Sequence, residues 1–404
     1  MIYGLPEDAP IRAWPFAVSA PINSSAIQER LQYLTEIQTS RSGREYRLAR
    51  RATPRKRLSF AAVLSEDELP LWQSFIHDAL THNLVIPQHG TSVPLEAFLP
   101  AGSESIALAQ VPEWVVGGMA FVMGDGLRRE AVIAEQVGAG IIDLARPAQR
   151  AWPAGTPLYA GLVGVLDQAH QAELIAPDVA SVTVDFRVRP LTEAEPEPPA
   201  PEAMFDGREV LLARPTWSGP LSQAFSRDVD ELDYGIGPIA RYSAVPFAHD
   251  VIQARYVQAH AEEVLATYHR SRGRQGEFFA PTWMPDLRMR GDASGSSLRV
   301  RGPEMAERYS GSLTHRAVFL HMRDGQTLLR EVSGLSLVND SQGQDTVMTL
   351  TEPLDVPASD VVMAGWLLLR RFASDELVIE HYPTGAMSLQ AGLMTLEMLP
   401  EETV

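Results

Sequence analysis

The chain aligns with itself. Residues 57–63 (RLSFAAV) match residues 251–257 (VIQARYV) at an offset of 251 − 57 = 194. The same offset carries Leu71 to Leu265 and residues 83–87 (NLVIP) to 277–281 (EFFAP). Farther on the offset grows by small steps, so that Asp125-Gly126 meets Asp324-Gly325, residues 141–147 meet 347–353, and Ala160-Gly161 meets Ala364-Gly365. Insertions of that size belong in loops. Trp14 and Trp217 open the two copies, and Pro190 and Pro400 close them. Six colinear matches in one direction predict two versions of one unit. Between them, residues 189–202 (RPLTEAEPEPPAPE) are rich in proline and glutamate, a composition that holds a chain extended and resists packing. The expected organisation is a first unit at 1–190, a linker at 191–206 and a second unit at 207–404.

Within each copy the hydrophobic period changes from strand to helix. Leu58, Phe60, Ala62 and Leu64 alternate along one strand face, as do Ile252, Ala254 and Tyr256. Ser65-Glu-Asp-Glu68 has the form of a capping box, with Asp67 as a rival cap because Pro70 must fall in the first turn. Leu71, Trp72, Phe75, Ile76, Ala79 and Leu80 then share a helical face, predicting a helix near 66–80. Ala261, Val264, Leu265 and Tyr268 predict its counterpart near 260–270. The turn signals Asp125-Gly126, Asp324-Gly325, Asn339-Asp340 and Pro383-Thr-Gly385 separate short apolar runs. The predicted fold class is therefore α+β, mainly β: two homologous antiparallel β-sandwich or barrel domains, each carrying one helix.

Composition narrows the function. Cysteine is absent, which removes disulfides, thiolate metal sites and cysteine nucleophiles. No apolar run is long enough to span a bilayer as a helix, and the first residues lack the apolar core of a secretory signal. Synthesis in a cytoplasm and no membrane insertion are expected. A formal charge of −17 argues against a specific nucleic-acid partner, since phosphate neutralisation needs surplus cations on one face. One local exception stands out: seven arginines and Lys56, the only lysine, crowd residues 41–57. Arginine forks pair well with carboxylates, so Arg47, Arg50, Arg51 and Arg55 are candidate subunit contacts.

No catalytic, cofactor-binding or metal constellation emerges from the residues. None of the ten histidines falls in a tight metal spacing; His260 and His269 lie on different helical faces. Residues 339–345 (NDSQGQD) lack the terminal glutamate of a calcium loop, and residues 291–297 (GDASGSS) read as a flexible loop rather than a nucleophile turn. The expectation is a non-enzyme that needs no cofactor.

In its opening Trp-Pro and Trp-Ser segments, its Arg-rich stretch, its strand-to-helix step over residues 57–80 and its apolar-aromatic-Pro runs at 84–87 and 277–285, the chain resembles the tail-tip proteins of tailed bacteriophages. These are distal-tail, minor-tail and hub-type components of the baseplate. The resemblance implies a virion structural protein, a ring joining the tail tube to the hub or receptor-binding parts. It also implies partners among other tail proteins. Such proteins usually carry one unit per chain, and the duplication departs from that pattern. Because tail tubes are sixfold and central hubs threefold, the resemblance implies a homo-oligomer, a trimer with pseudo-sixfold symmetry. A carbohydrate-binding or carbohydrate-cleaving β-protein, with Trp283 and Tyr242 lining a cleft, is the alternative, and a bacterial β-sandwich adhesin a third class.

Overall fold

The computed structural model describes residues 11–14, 26–40, 44–112, 115, 117–125, 127–167, 172–189, 198–227, 229–243, 248–340, 343–382 and 386–397. Among the described residues antiparallel strands dominate, with three α-helices: α1 (Glu68–Ala79), α2 (Ala259–Ser271) and the single-turn α3 (Glu304–Tyr309). Mainly β within an α+β class is the architecture. The second half carries two helices rather than the one expected, because the six residues of α3 are too few for the periodicity that announced the other two.

Backbone contacts divide the chain into two compact units, and neither is contiguous in sequence. The first takes in Met1–Gln32, Thr53–Pro196 and Val378–Met387; the second takes in Tyr33–Ala52, Glu197–Leu377 and Ser388–Val404. The contiguous boundaries expected from the sequence are thus corrected: each half of the sequence contributes one segment to the unit built mainly from the other half. Composition signals a linker but carries no information about such crossings. Residues 191–197 of the expected linker, along with Pro190, Pro400 and the Pro383-Thr-Gly385 turn, lie outside the described residues. The end of that linker is structured, since Met204–Phe205 pairs with Arg208–Glu209 in a short hairpin.

In the first unit strand Ile27–Gln32 pairs with Arg55–Ser65, which pairs with Val179–Val188, which pairs with Pro157–Leu166. The last strand also pairs along its length with Asn83–Pro94 and Ala120–Asp125. Ile11–Ala13 adds a parallel edge to Asn83–Pro94. Helix α1 connects Arg55–Ser65 to Asn83–Pro94. It begins at Glu68, placing Asp67 at the cap and Pro70 in the first turn, while the Glu68 carboxylate accepts the Ser65 amide at 3.3 Å. Trp72 and Ala79 are buried with Leu58, Phe60, Ala62, Leu64 and Trp14 in the core between helix and sheet. Leu80, expected on the same helical face, lies past the last helical residue and is exposed. A separate core gathers around Trp152, whose indole N–H donates at 2.9 Å to the buried Glu130 carboxylate.

The second unit has the same strand order. Ser222–Ser226 pairs with His249–Val257, then Met387–Thr395, then Val361–Phe372, which holds both Phe278–Pro281 and Ala317–Met322. The registers correspond as well. Gln28↔Ser59 becomes Ser222↔Gln253 when 194 is added to both members. Ala62↔Val182 becomes Tyr256↔Leu389 at 194 and 207, and Ala160↔Phe121 becomes Ala364↔Leu320 at 204 and 199. Because strand side chains alternate, such agreement puts corresponding residues on corresponding faces. Gly161 and Gly365 share a constraint: a Cβ would stand 2.2 Å from the Val85 side chain in one and 2.5 Å from the Met284 carbonyl in the other.

Two of the sequence matches shift. Val163 pairs with Val85 and Leu367 with Pro281, so at an offset of 204 on one strand the other is offset by 196, not 194. A slip of two preserves the face, which is why the apolar pattern did not register it. Trp217 is not the counterpart of Trp14. The Trp14 amide donates to the Val85 carbonyl at 2.8 Å. Trp14 is 1% exposed and Trp217 62%.

Candidate assembly surface

Between the first two paired strands of each half lies a β-hairpin. Hairpin A joins Thr35–Thr39 to Glu45–Ala49; hairpin B joins Asp230–Leu232 to Ala240–Tyr242. Their registers are again related by 194, Glu36↔Leu48 becoming Asp230↔Tyr242. Identical pairing gives the two ribbons matching faces, yet their surroundings differ completely.

Hairpin A is packed into the second unit at the C-terminal end of α2. Its inner face carries Thr35, Ile37, Glu45, Arg47 and Ala49, all at least half-buried, while Glu36, Gln38, Tyr46 and Leu48 on the other face are exposed. Asp375, in the turn after strand Val361–Phe372, is the centre of the socket. Its carboxylate accepts the Thr35 amide at 2.7 Å, the Thr35 hydroxyl at 2.8 Å and the Arg274 amide at 3.0 Å, and the Arg274 guanidinium lies 3.3 Å away. The Asp375 carbonyl accepts the Tyr33 amide at 2.9 Å and the Tyr268 hydroxyl. Tyr33 also reaches His269 Nδ1 at 3.1 Å and packs on the Tyr268 ring. A buried carboxylate satisfied by several donors fixes a segment as no apolar contact can, since each donor is left unpaired if the segment leaves.

At the far side of the hairpin Arg371 grips both oxygens of Glu45 at 2.8 and 2.7 Å, a bidentate fork. Burial pushes the Glu45 carboxyl up, but the hydrogen bond and charge of Arg371, with Arg47 beside it, leave it below its ordinary value. Arg47 in turn pairs with Glu277 at 2.6 Å and donates to the Gln275 carbonyl at 3.1 Å.

Arg47, a candidate for contacts between subunits, is engaged inside its own chain, because a half-buried guanidinium at a hairpin face meets the nearest carboxylate. Arg50 pairs across the hairpin with exposed Glu36; Arg51 is half-buried just beyond the hairpin; Arg55 begins strand Arg55–Ser65 and is exposed. Lys56 meets Glu29 at 2.7 Å in the first unit, where His381 Nε2 lies 2.7 Å from the other Glu29 oxygen.

Hairpin B has no such socket among the described residues. All six residues of its strands are exposed, and so is the loop between them. On it stand Val229, Leu232, Tyr234, Ile236, Ile239 and Tyr242, with Tyr234 80% and Ile236 89% exposed. Such clustering of large apolar side chains marks a surface that is covered in use. The signal was in the sequence, in the run 229–242, but without the register of hairpin A nothing separated it from an ordinary buried strand.

The other chemically suggestive groups serve packing. His315 is stacked on Tyr309 at 4.0 Å and edge-on to Trp366, and burial lowers its pKa to about 4, keeping it neutral. Asp345, in the segment weighed as a calcium loop, is ion-paired to Arg290 at 2.7 Å and Arg299 at 2.6 Å. Residues 291–297 form a turn closed by backbone bonds between Ser294 and Ser297. Trp283, named for a carbohydrate cleft, is buried beneath the Arg214 guanidinium and against Phe319. Tyr242 stands on hairpin B instead. Among the described residues no group of three or more His, Asp or Glu side chains is placed to hold a metal ion, and no helix is long and apolar enough to cross a membrane. No protein-family model matches the chain, and no curated protein matches it by sequence.

Proposed function

We propose that this chain is a structural component of a bacteriophage tail tip, a ring connecting the tail tube to the hub or receptor-binding parts. The observation that carries the reading is the pair of units with one strand order and matching registers, each completed by a segment from the other half of the sequence. Descent of the two units from a duplicated ancestor is part of the proposal. Two similar units on one chain suit a junction between symmetries: three chains set six similar units around an axis for a sixfold tube, while the differences between the units keep threefold order for a hub. The chain on this reading acts by shape and contact, is made in the host cytoplasm and resides in the virion tail.

The test is the structure of assembled tails from the phage that encodes the chain. Density for the chain at the tip with three copies per ring is the expected result. Absence of the chain from purified particles refutes the tail reading. Six chains per ring refute the trimer.

A further inference from the structure

Four arginines stand together on one face of the second unit, and the chain pairs only two of them. Residues 288–290 (RMR) run antiparallel to the end of strand Ser297–Arg301 (SLRVR). Met289 bridges Val300, the Arg290 amide donates to the Arg299 carbonyl at 2.9 Å, and the Arg301 amide donates to the Arg288 carbonyl at 2.8 Å. Alternation turns Met289 and Val300 toward the core and puts Arg288, Arg290, Arg299 and Arg301 on the opposite face, as two cross-strand pairs.

We infer that the outer pair, Arg288 and Arg301, is a docking site for an acidic peptide segment of a partner protein, whose carboxylates complete the ladder that the inner pair begins. The inner pair shows what the ladder takes. Arg290 and Arg299 close on one oxygen of Asp345, at 2.7 and 2.6 Å, and Arg299 also reaches Asp340. The other Asp345 oxygen accepts the Gly302 amide at 3.2 Å. That buried carboxylate is fully engaged, so Arg301, its register partner across the sheet, receives none of it. Arg288 and Arg301 are exposed and make no hydrogen bond or ion pair with a described residue. Glu304, three residues beyond Arg301, forms no ion pair among the described residues either.

A lone exposed arginine is a solvated side chain, but two directly opposite each other on a sheet repel, and an acceptor between them relieves that cost. The chain has 51 acidic residues to 34 basic ones, yet neither of these arginines is given a carboxylate. Opposite stems stand about 5 Å apart, and acids at alternate positions of an extended peptide stand roughly 6.6 Å apart, so each fork can take one carboxylate. Arginine clusters receive acidic motifs in this way. A carboxylate partner is favoured over a nucleic acid because the inner pair already holds carboxylates and because a long polyanion would lie against a chain of net charge −17. The site lies within the second unit and does not depend on the tail-tip reading.

The test uses the full-length chain and a labelled peptide of alternating aspartate and serine, with binding read by fluorescence anisotropy at constant salt. Arg288→Ser with Arg301→Ser should weaken binding about tenfold, the combined worth of two exposed charge pairs. Arg241→Ser with Arg323→Ser removes the same charge from exposed positions elsewhere in the second unit and should leave binding unchanged. Since neither Arg288 nor Arg301 bonds to its own chain through its side chain, their double variant should keep the wild-type urea midpoint; a lowered midpoint would mark them as braces of the sheet and count against the site. Peptide that does not bind, an equal loss in both double variants, or a thymidine oligonucleotide of the same charge held as tightly through Arg288 and Arg301 overturns the inference.

Discussion

Removing the Asp375 carboxylate should release hairpin A from the second unit. In Asp375→Ala the Thr35 amide, the Thr35 hydroxyl and the Arg274 amide lose their acceptor at a site only 9% exposed. A buried donor left unpaired costs about 1–3 kcal/mol. Water entering the vacated volume recovers part of that, so the three together come to about 3–5 kcal/mol, within the range for breaking a buried polar network. The cost falls on the seating of one hairpin rather than on the whole unit, and global unfolding of a two-unit chain is not two-state. The assay is therefore amide hydrogen exchange of the full chain, read on peptides covering residues 34–50. Protection there should fall by about two to three orders of magnitude, while peptides of strand Arg55–Ser65 keep theirs. Asp375→Asn is the finer probe. An amide oxygen at the Oδ1 position still accepts the Thr35 hydroxyl and the Arg274 amide, but its NH2 faces the Thr35 amide, so an intermediate loss is expected. Unchanged protection of residues 34–50 in Asp375→Ala would refute the claim that the carboxylate holds the hairpin.

Glu29 gives a pH signature: burial pushes its carboxyl up, but the hydrogen bond from His381 and the Lys56 ammonium overcome this and hold the pKa at about 2. A depressed carboxyl stabilises above its unfolded value of 4.5 and loses that contribution as pH falls toward 2, so urea titrations should show Glu29→Gln about 3 kcal/mol less stable at neutral pH and equal to wild type near pH 2. Glu263 has the opposite sign, raised to about 7 chiefly by burial. Ionising it above that pH costs stability; since one oxygen accepts both the Leu212 and Ala213 amides, Glu263→Gln keeps those bonds and should gain about 1–2 kcal/mol at pH 8 but little at pH 5. Trp14→Ala, which strips edge contacts with Phe60 and Phe75, should cost the first unit about 3–5 kcal/mol in thermal or chemical unfolding, whereas Trp217→Ala should cost under about 0.5 kcal/mol. Arg47→Ser should lower exchange protection of hairpin A, while Arg50→Ser, on an exposed pair, should leave it within about 0.5 kcal/mol.

The parts of this fold that were legible in the sequence are those written in local period. Leu58, Phe60, Ala62 and Leu64, and again Ile252, Ala254 and Tyr256, alternate in the sequence and are buried in the fold. The start of α1 followed from its capping signal and α2 from amphipathic spacing, and the offsets of 194, 199 and 204 recur in strand registers. What escaped lies in contacts between distant residues whose types are ordinary. Asp375 stands 340 positions from Thr35, and nothing about an aspartate before a glutamate announces a socket. Trp217 drew attention by its rarity, but it is exposed where Trp14 is buried. The Arg47 ion pair was illegible in the sequence because Glu277 is 230 residues away.

Hairpin B shows how the two kinds of information combine. Its apolar residues were visible in the sequence, but an apolar run reads as core until a structure exposes it. Exposure alone would not name a partner, since many surfaces cover such a patch.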